Sequence, residues 1–276
     1  MSKGWFITGA SRGFGRIWAE AALDRGERVV VTARAVSTLD GLVAAHGESV
    51  LALPLDVTDR EAAFDAVARA ADFLGSLDVV VNNAGYGLFG MVEEITEEQA
   101  RAQMETNVFG ALWVTQAALP FMRAEGSGHI LQVSSIGGVH AFPGLGLYHA
   151  SKWALEGFSQ SLAQEVDRFG ISVTLIEPTG YSTDWAFSSA TRAEPMAAYD
   201  ESREAMTAAR ARVAAKRGDP RATADAVLAI VDMDEPPLRF FLGDGPLDMI
   251  RVEYAKRLET WEAFDAQSRA AHGSAD

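Results

Sequence analysis

Short apolar runs alternate along this chain with longer stretches in which apolar residues recur every three or four positions. The first kind of pattern marks buried strands and the second marks amphipathic helices. Trp5-Phe6-Ile7-Thr8 is the first run; Gly9 to Gly15 then leads into a helical pattern through Ile17, Ala21 and Leu23 that stops at Gly26. Arg28 to Arg34 predicts a second strand, Thr38 to Ala45 a helix, and Val50 to Leu55 a third strand closed by Asp56. Asp59 suits the N-cap of a helix reaching about Phe73, followed by a fourth strand over Leu77 to Val81 and the polar turn Asn82-Asn83-Ala84-Gly85. Thr96 to Gln99 has the capping-box spacing, opening a long helix to about Arg123 with Pro120 in its last turn. His129 to Ser135 is a fifth strand broken by Gly137-Gly138, and the helix after it runs to about Phe169. Ile171 to Ile176 is a sixth, closed by Glu177-Pro178.

Strand and helix alternate without a linker or repeat to this point, which predicts a doubly wound parallel α/β sheet of about seven strands with helices on both faces, in one Rossmann-type domain over residues 1–276. Beyond Pro178 the regularity lapses. Residues 179–217 read as a substrate-binding loop or lid and then a helix from Ala197. A helix from Ala222 to Met233, a last strand at Arg239 to Leu242 and an amphipathic helical extension over about 244–276 complete the chain.

Of the 276 residues 48% are hydrophobic and 22% charged, so a sizeable core is affordable and a disordered chain is excluded. The net charge of −14 repels phosphate backbones and anionic lipid, which argues against nucleic-acid and membrane-surface partners. Without cysteine, disulfides, thiolate catalysis and Cys-ligated metals are ruled out, and no His, Asp and Glu cluster has metal-ligand spacing. Met1-Ser2-Lys3-Gly4 offers no signal peptide and no apolar run matches a membrane span; a soluble, cytoplasmic protein is expected.

Chemistry enters at three places. Gly9-Ala10-Ser11-Arg12-Gly13-Phe14-Gly15 sits between the first strand and its helix, where glycines let a pyrophosphate approach the backbone and the helix N-terminus favours an anion. The second strand ends in Ala33-Arg34, with no carboxylate to hold ribose hydroxyls; Arg34, with Arg12 in the glycine turn, suits a 2′-phosphate, so NADP(H) is expected over NAD(H). Tyr148 and Lys152 lie one helical turn apart on one face. An ammonium beside a phenol favours the phenolate, and lowering the tyrosine pKa in this way makes a general acid/base for neutral pH. Ser135, thirteen positions before Tyr148, closes the fifth strand next to Ser134.

In that order and spacing these motifs resemble the short-chain dehydrogenase/reductase superfamily over about residues 4–185: Thr8 to Gly15, Asp56-Val57, Asn82-Asn83-Ala84-Gly85, Asn107, Ser135, Tyr148 with Lys152, then Pro178 and Thr183. The resemblance implies a tetrad of Asn107, Ser135, Tyr148 and Lys152, and the thirteen-residue spacing selects Ser135 over Ser134. It implies a cofactor loop shaped by Gly9, Gly13, Phe14 and Gly15, a 2′-phosphate among Ser11, Arg12 and Arg34, Asp56 and Val57 at the adenine, and Asn83, Ala84 and Gly85 along the adenosine ribose. Tyr148, Lys152, Pro178 and Thr183 would complete the cofactor contacts, and Asn107 would anchor a water that relays protons to Lys152. The family usually has Pro-Gly after the sixth strand; here it is Pro178-Thr179-Gly180, with the glycine displaced by one.

The activity implied is hydride transfer between NADP(H) and a small-molecule carbonyl/alcohol pair, with Tyr148 as acid/base, in a homodimer or homotetramer as is usual for the family. Phe89, Phe142, Tyr181, Trp185 and Phe187 are the expected substrate-pocket residues and suggest a hydrophobic or aromatic substrate, although aromatics there are equally ordinary core. His140 and His149 read as structural, His149 being turned about 100° from Tyr148 around the helix. A nucleotide-sensing Rossmann protein without turnover and a sugar-nucleotide epimerase or dehydratase are the competing readings.

Overall fold

Seven of the apolar runs become one sheet in the computed structural model, which describes residues 2–183, 185, 189–214 and 217–273. Its strands are β1 (Gly4–Ile7), β2 (Arg28–Ala33), β3 (Val50–Pro54), β4 (Val79–Asn82), β6 (Gly128–Val133), β7 (Ile171–Pro178) and β9 (Arg239–Leu242), in the order β3-β2-β1-β4-β6-β7-β9. Every neighbouring pair is parallel. Strands covered on both faces need apolar residues at successive positions, and Val29 to Val31 and Val79 to Val81 are all buried. The pleat divides them. Trp5 and Ile7 pack with α1 (Gly13–Asp24), α2 (Asp40–His46) and α8 (Thr223–Val231), while Phe6 packs on the other side with α3 (Arg60–Leu74), α5 (Gly110–Glu125) and α6 (Gly146–Val166).

The strand order reverses between β1 and β4, so a crevice opens beyond their carboxyl ends, the place where open α/β sheets take ligands. Local signals hold where they were strong. Asp59 accepts from the Ala62 amide (3.0 Å) to cap α3, and Thr96 and Gln99 form the reciprocal box (3.1 and 3.2 Å) at the start of α4 (Glu97–Met104).

Three expectations are corrected. The long helix from Thr96 is interrupted: α4 and α5 are separated by a π-helical turn, Glu105–Phe109, which contains Asn107. The lid region is not free of strand. Leu88–Phe89 (β5) and Thr191–Arg192 (β8) form a two-stranded parallel ladder that ties the lid to the loop after β4. The helix expected from Ala197 begins as a single 3-10 turn and becomes α7 at Asp200–Ala214. The extension forms α9 (Pro246–Ala263) and α10 (Asp265–His272), and most of its large apolar residues are exposed, Trp261 by 62%. Among the described residues no helix is long and apolar enough to cross a membrane.

Candidate active site

The site begins where β1 and β4 are stapled together. The Thr8 hydroxyl accepts from the Asn83 and Ala84 amides (3.0 Å each), and the Asn83 side-chain amide donates to the carbonyls of Thr8 (2.9 Å) and Gly9 (3.0 Å). Gly9 has φ +66°, and a Cβ there would lie 2.9 Å from Ala84 Cα, so this crossing requires glycine. A Cβ on Gly15 would overlap the Asn83 amide; this glycine packs the turn from behind and does not line the cleft. Gly13, at φ +59°, has open space before it. The result is a bare backbone cradle at the start of α1, which fits a pyrophosphate.

The cleft beyond the cradle encloses about 710 Å³. Its wall at one end carries Ser11, Arg12, Arg34, Asp56 and Val57; in the middle are Asn83, Ala84 and Gly85; at the other end are Ser135, Tyr148, Lys152, Pro178 and Thr183, and Phe14 reaches toward that end, edge-on to Tyr181 (5.2 Å). Thus most of the residues named from sequence converge on one crevice. Arg34 and Arg12 bring two guanidinium groups to the end that lacks a ribose-binding carboxylate on β2, so the donor set fits a phosphorylated adenosine.

At the opposite end, Ser135 follows β6 and its hydroxyl accepts from the Gly137 amide (3.0 Å), fixing the turn. Tyr148 and Lys152 both point off one face of α6 and are buried. Lys152 Nζ donates to the Val133 carbonyl (2.8 Å) and lies 5.9 Å from the centre of the Tyr148 ring. Asn107 donates to the Tyr86 carbonyl (3.1 Å) and the Ser151 hydroxyl (3.0 Å), and accepts from the Tyr86 amide (3.1 Å). It does not line the cleft. A Cβ on Gly85 would nevertheless touch both Asn107 Oδ1 (3.0 Å) and Lys152 Nζ (3.7 Å), so both side chains crowd against Gly85. The π turn is what swings Asn107 onto α6 between Tyr148 and Lys152.

Residues 3–194 match the family model described as short chain dehydrogenase. The chain belongs to the short chain dehydrogenase family. It is 43% identical to oxidoreductase BOA17 of Botryotinia fuckeliana, over 98% of this chain and 97% of that protein. It superposes on a short-chain dehydrogenase from Streptomyces avermitilis with a TM-score of 0.90 and 38% identity, covering 98% of each chain. An alcohol dehydrogenase from Thermococcus sibiricus, solved with 5-hydroxy-NADP, is 25% identical with a TM-score of 0.73, over 88% of this chain and 97% of its own. The protein is therefore an oxidoreductase of this family, built on its nucleotide-binding Rossmann fold.

Within this short chain dehydrogenase two local expectations change. Tyr148 is not made more acidic: burial pushes its pKa up to about 12, with the hydrogen-bonded Ser135 hydroxyl pulling the other way. The Lys152 ammonium sits over the ring, and its own pKa falls to about 8 through burial while Glu156 opposes the fall. Desolvation of the phenolate outweighs attraction at that range. Among the aromatics, Tyr181 and Trp185 line the cleft, but Phe89 and Phe142 do not. Phe89 stands behind Trp185, ring centres 5.3 Å apart, and Phe142 packs edge-on against His149 (5.0 Å). Phe187 lies outside the described residues.

His149 is structural in a specific way. Its Nε2 accepts from the Phe142 amide (3.0 Å), so Nδ1 carries the proton and donates to the Gly137 carbonyl (3.0 Å). It thereby braces the loop after Ser135. The displaced glycine is absorbed by the last strand: Thr179 donates its amide to the Leu242 carbonyl (2.8 Å) and its hydroxyl packs on Gly243, which is at φ +119°. Tyr86 lies within residues 85–89, a stretch the sequence places at the substrate pocket, and it lines the cleft; sequence reasoning missed Thr106, which lines it too.

Proposed function

We propose that this oxidoreductase uses NADP(H) in preference to NAD(H) to interconvert a hydrophobic ketone or aldehyde and its alcohol. The observation that carries this reading is one crevice with the Ser135, Tyr148 and Lys152 side chains at one end and the Arg12 and Arg34 guanidinium groups at the other. The bound nicotinamide would supply or accept the hydride. The cradle of Gly9 and Gly13, with Arg12 and Arg34, would hold the phosphates, and Lys152 would steady a ribose near Tyr148.

In reduction, the Tyr148 hydroxyl gives its proton to the substrate oxygen as negative charge builds there. A phenol held near 12 is fully protonated at neutral pH, so the chain rests as a proton donor. Ser135 hydrogen-bonds the same oxygen and fixes its position. The Lys152 ammonium stabilises the phenolate left behind. Asn107 ties Tyr86 to Ser151 and so to the turn of α6 that carries Tyr148 and Lys152. Tyr86, Tyr181 and Trp185 give the cleft an aromatic wall, which supports an apolar substrate.

A screen of ketones and aldehydes with NADPH and NADH tests the reading. Expected is carbonyl-dependent NADPH oxidation with a lower KM than for NADH. A lower KM for NADH would overturn the cofactor assignment. Turnover of a sugar nucleotide without net NADPH consumption would favour the epimerase reading.

A further inference from the structure

Beyond Lys152, α6 carries a second buried ionisable side chain on the same face. Glu156, one turn along α6, is 5% exposed, and Glu177, near the end of β7, is 1% exposed. Their side chains approach within hydrogen-bonding range. Arg239 from β9 is the cation they share: its Nε donates to Glu156 Oε2 (3.0 Å) and lies 3.6 Å from Glu177 Oε1, while its Nη2 donates to Gln160 (2.9 Å). Two carboxylates have no proton to offer each other. Accordingly Glu156 Oε1 and both Glu177 oxygens are buried without a donor, as is the Ser134 hydroxyl. A Cβ on Gly138 would lie 2.6 Å from Ser134 Oγ and 3.2 Å from Glu156 Oε1, so these groups face one small space. That space adjoins the catalytic end: Lys152 is bonded to the carbonyl of Val133, and Ser134 donates its amide to the Ile176 carbonyl (2.7 Å). A single proton on the pair supplies the missing donor and lowers the charge that must be buried.

We propose that Glu156 and Glu177 share one proton and, through the remaining negative charge, keep Lys152 in its ammonium form, which makes them positioning residues that set the alkaline limit of activity. The proposal rests on the reading of Lys152 as the partner of Tyr148. The charged groups on the elements packed around the pair are Lys152, one turn before Glu156 on α6, and Arg239 from β9, which contacts both carboxylates; the turn after β6 contributes the Ser134 hydroxyl, while the neutral Asn107 of the π turn is bonded to Tyr86 and Ser151 and His149 is turned to Gly137 and Phe142. Burial first, then the Glu156 charge, pushes Glu177 well above the ordinary carboxylate range against the pull of Arg239, and Glu156 opposes the burial-driven fall of Lys152.

Carbon-13 NMR of the full chain, labelled at glutamate carboxyls and lysine side chains, tests the proposal without substrate. In the wild type one buried carboxyl should titrate at least about two units above an ordinary glutamate, and Glu177→Gln should abolish that signal. Glu156→Gln should lower the Lys152 midpoint by about one unit, and Glu156→Asp, which keeps the charge, should restore most of it. The alkaline limb of kcat/KM for carbonyl reduction should move down with Lys152 in Glu156→Gln. Carboxyls that all titrate in the ordinary range, or a Lys152 midpoint unchanged in Glu156→Gln, would overturn the proposal. Absence of carbonyl turnover in the wild type would count against the oxidoreductase mechanism, while the titrations would still decide the proton sharing.

Discussion

The Trp185 ring lies 4.9 Å from the Tyr148 ring, tilted by 59°, so the lid places an indole directly beside the proposed proton donor. This contact depends on Gly87, where a Cβ would come within 2.6 Å of Trp185, and on the β5–β8 ladder, reinforced by the Thr191 amide donating to the Gly87 carbonyl (3.0 Å). Trp185→Ala should therefore raise KM for an apolar ketone about tenfold, the worth of one well-buried apolar contact, while kcat changes much less. Gly87→Ala should reproduce the effect by displacing the indole. Steady-state kinetics at saturating NADPH would check both; unchanged KM in both variants would show that the indole does not touch substrate.

Tyr148→Phe removes one hydroxyl whose protein partner is Ser135. Expected is a kcat loss of roughly 10²–10⁴-fold, the usual weight of a positioned general acid, with a nearly unchanged Tm. The direction of reaction sets the pH response. Reduction needs the protonated phenol and should be flat through neutrality, whereas alcohol oxidation needs the phenolate and should climb with pH, since a raised pKa leaves the base scarce at pH 7. Measuring kcat/KM in both directions across the pH range would expose an oxidation rate that failed to rise.

Arg34 lies at the tip of β2, where a carboxylate would otherwise hold ribose hydroxyls. Arg34→Asp should raise KM for NADPH by about 10- to 100-fold, the scale of losing a charge-assisted phosphate contact and gaining a repulsive one, and should lower KM for NADH. If the NADPH/NADH ratio of kcat/KM stayed constant, the 2′-phosphate would have to be held elsewhere.

The parts of this molecule that could be read from sequence are those written in consecutive residues. The buried valine runs announced β2 and β4, glycine spacing announced the crossing at Gly9, and a four-residue interval placed Tyr148 and Lys152 on one face. What escaped depends on partners far apart in the chain. Strands β5 and β8 are two residues each and pair across about a hundred positions, leaving no periodicity to detect. The π turn at Glu105–Phe109 looks helical from its apolar spacing, and only the contact of Asn107 with Tyr86 and Ser151 explains the extra residue. Glu156 and Glu177 read as ordinary charged positions because burial is decided by Arg239 and the packing of β7 and β9. The same reason explains the misjudged tyrosine: a neighbouring lysine is visible in sequence and desolvation is not.

One carboxylate, that of Glu94, fastens the lid. Its side chain is buried; Oε1 accepts from the Met196 amide and from Arg203 (2.8 Å each), and Oε2 accepts from the Met91 amide (2.8 Å). These bonds, the Met196 amide foremost and then Arg203 and Met91, lower its pKa from 4.5 to about 2 against the effect of burial. A depressed folded pKa contributes stability that is complete above about 4.5 and is lost as pH falls toward 2. Glu94→Gln replaces one acceptor oxygen by an NH₂ that must face a donor, so it should lower Tm at pH 7, and the difference from wild type should narrow as the medium is acidified. The loosening should be local. The Met196 amide should exchange with solvent faster in the variant, and KM for carbonyl substrate should rise because β8 and Trp185 hang from the same segment. Hydrogen exchange resolved to single amides would decide it: unchanged protection at Met196 would mean that α7 and the β5–β8 ladder hold the lid without Glu94.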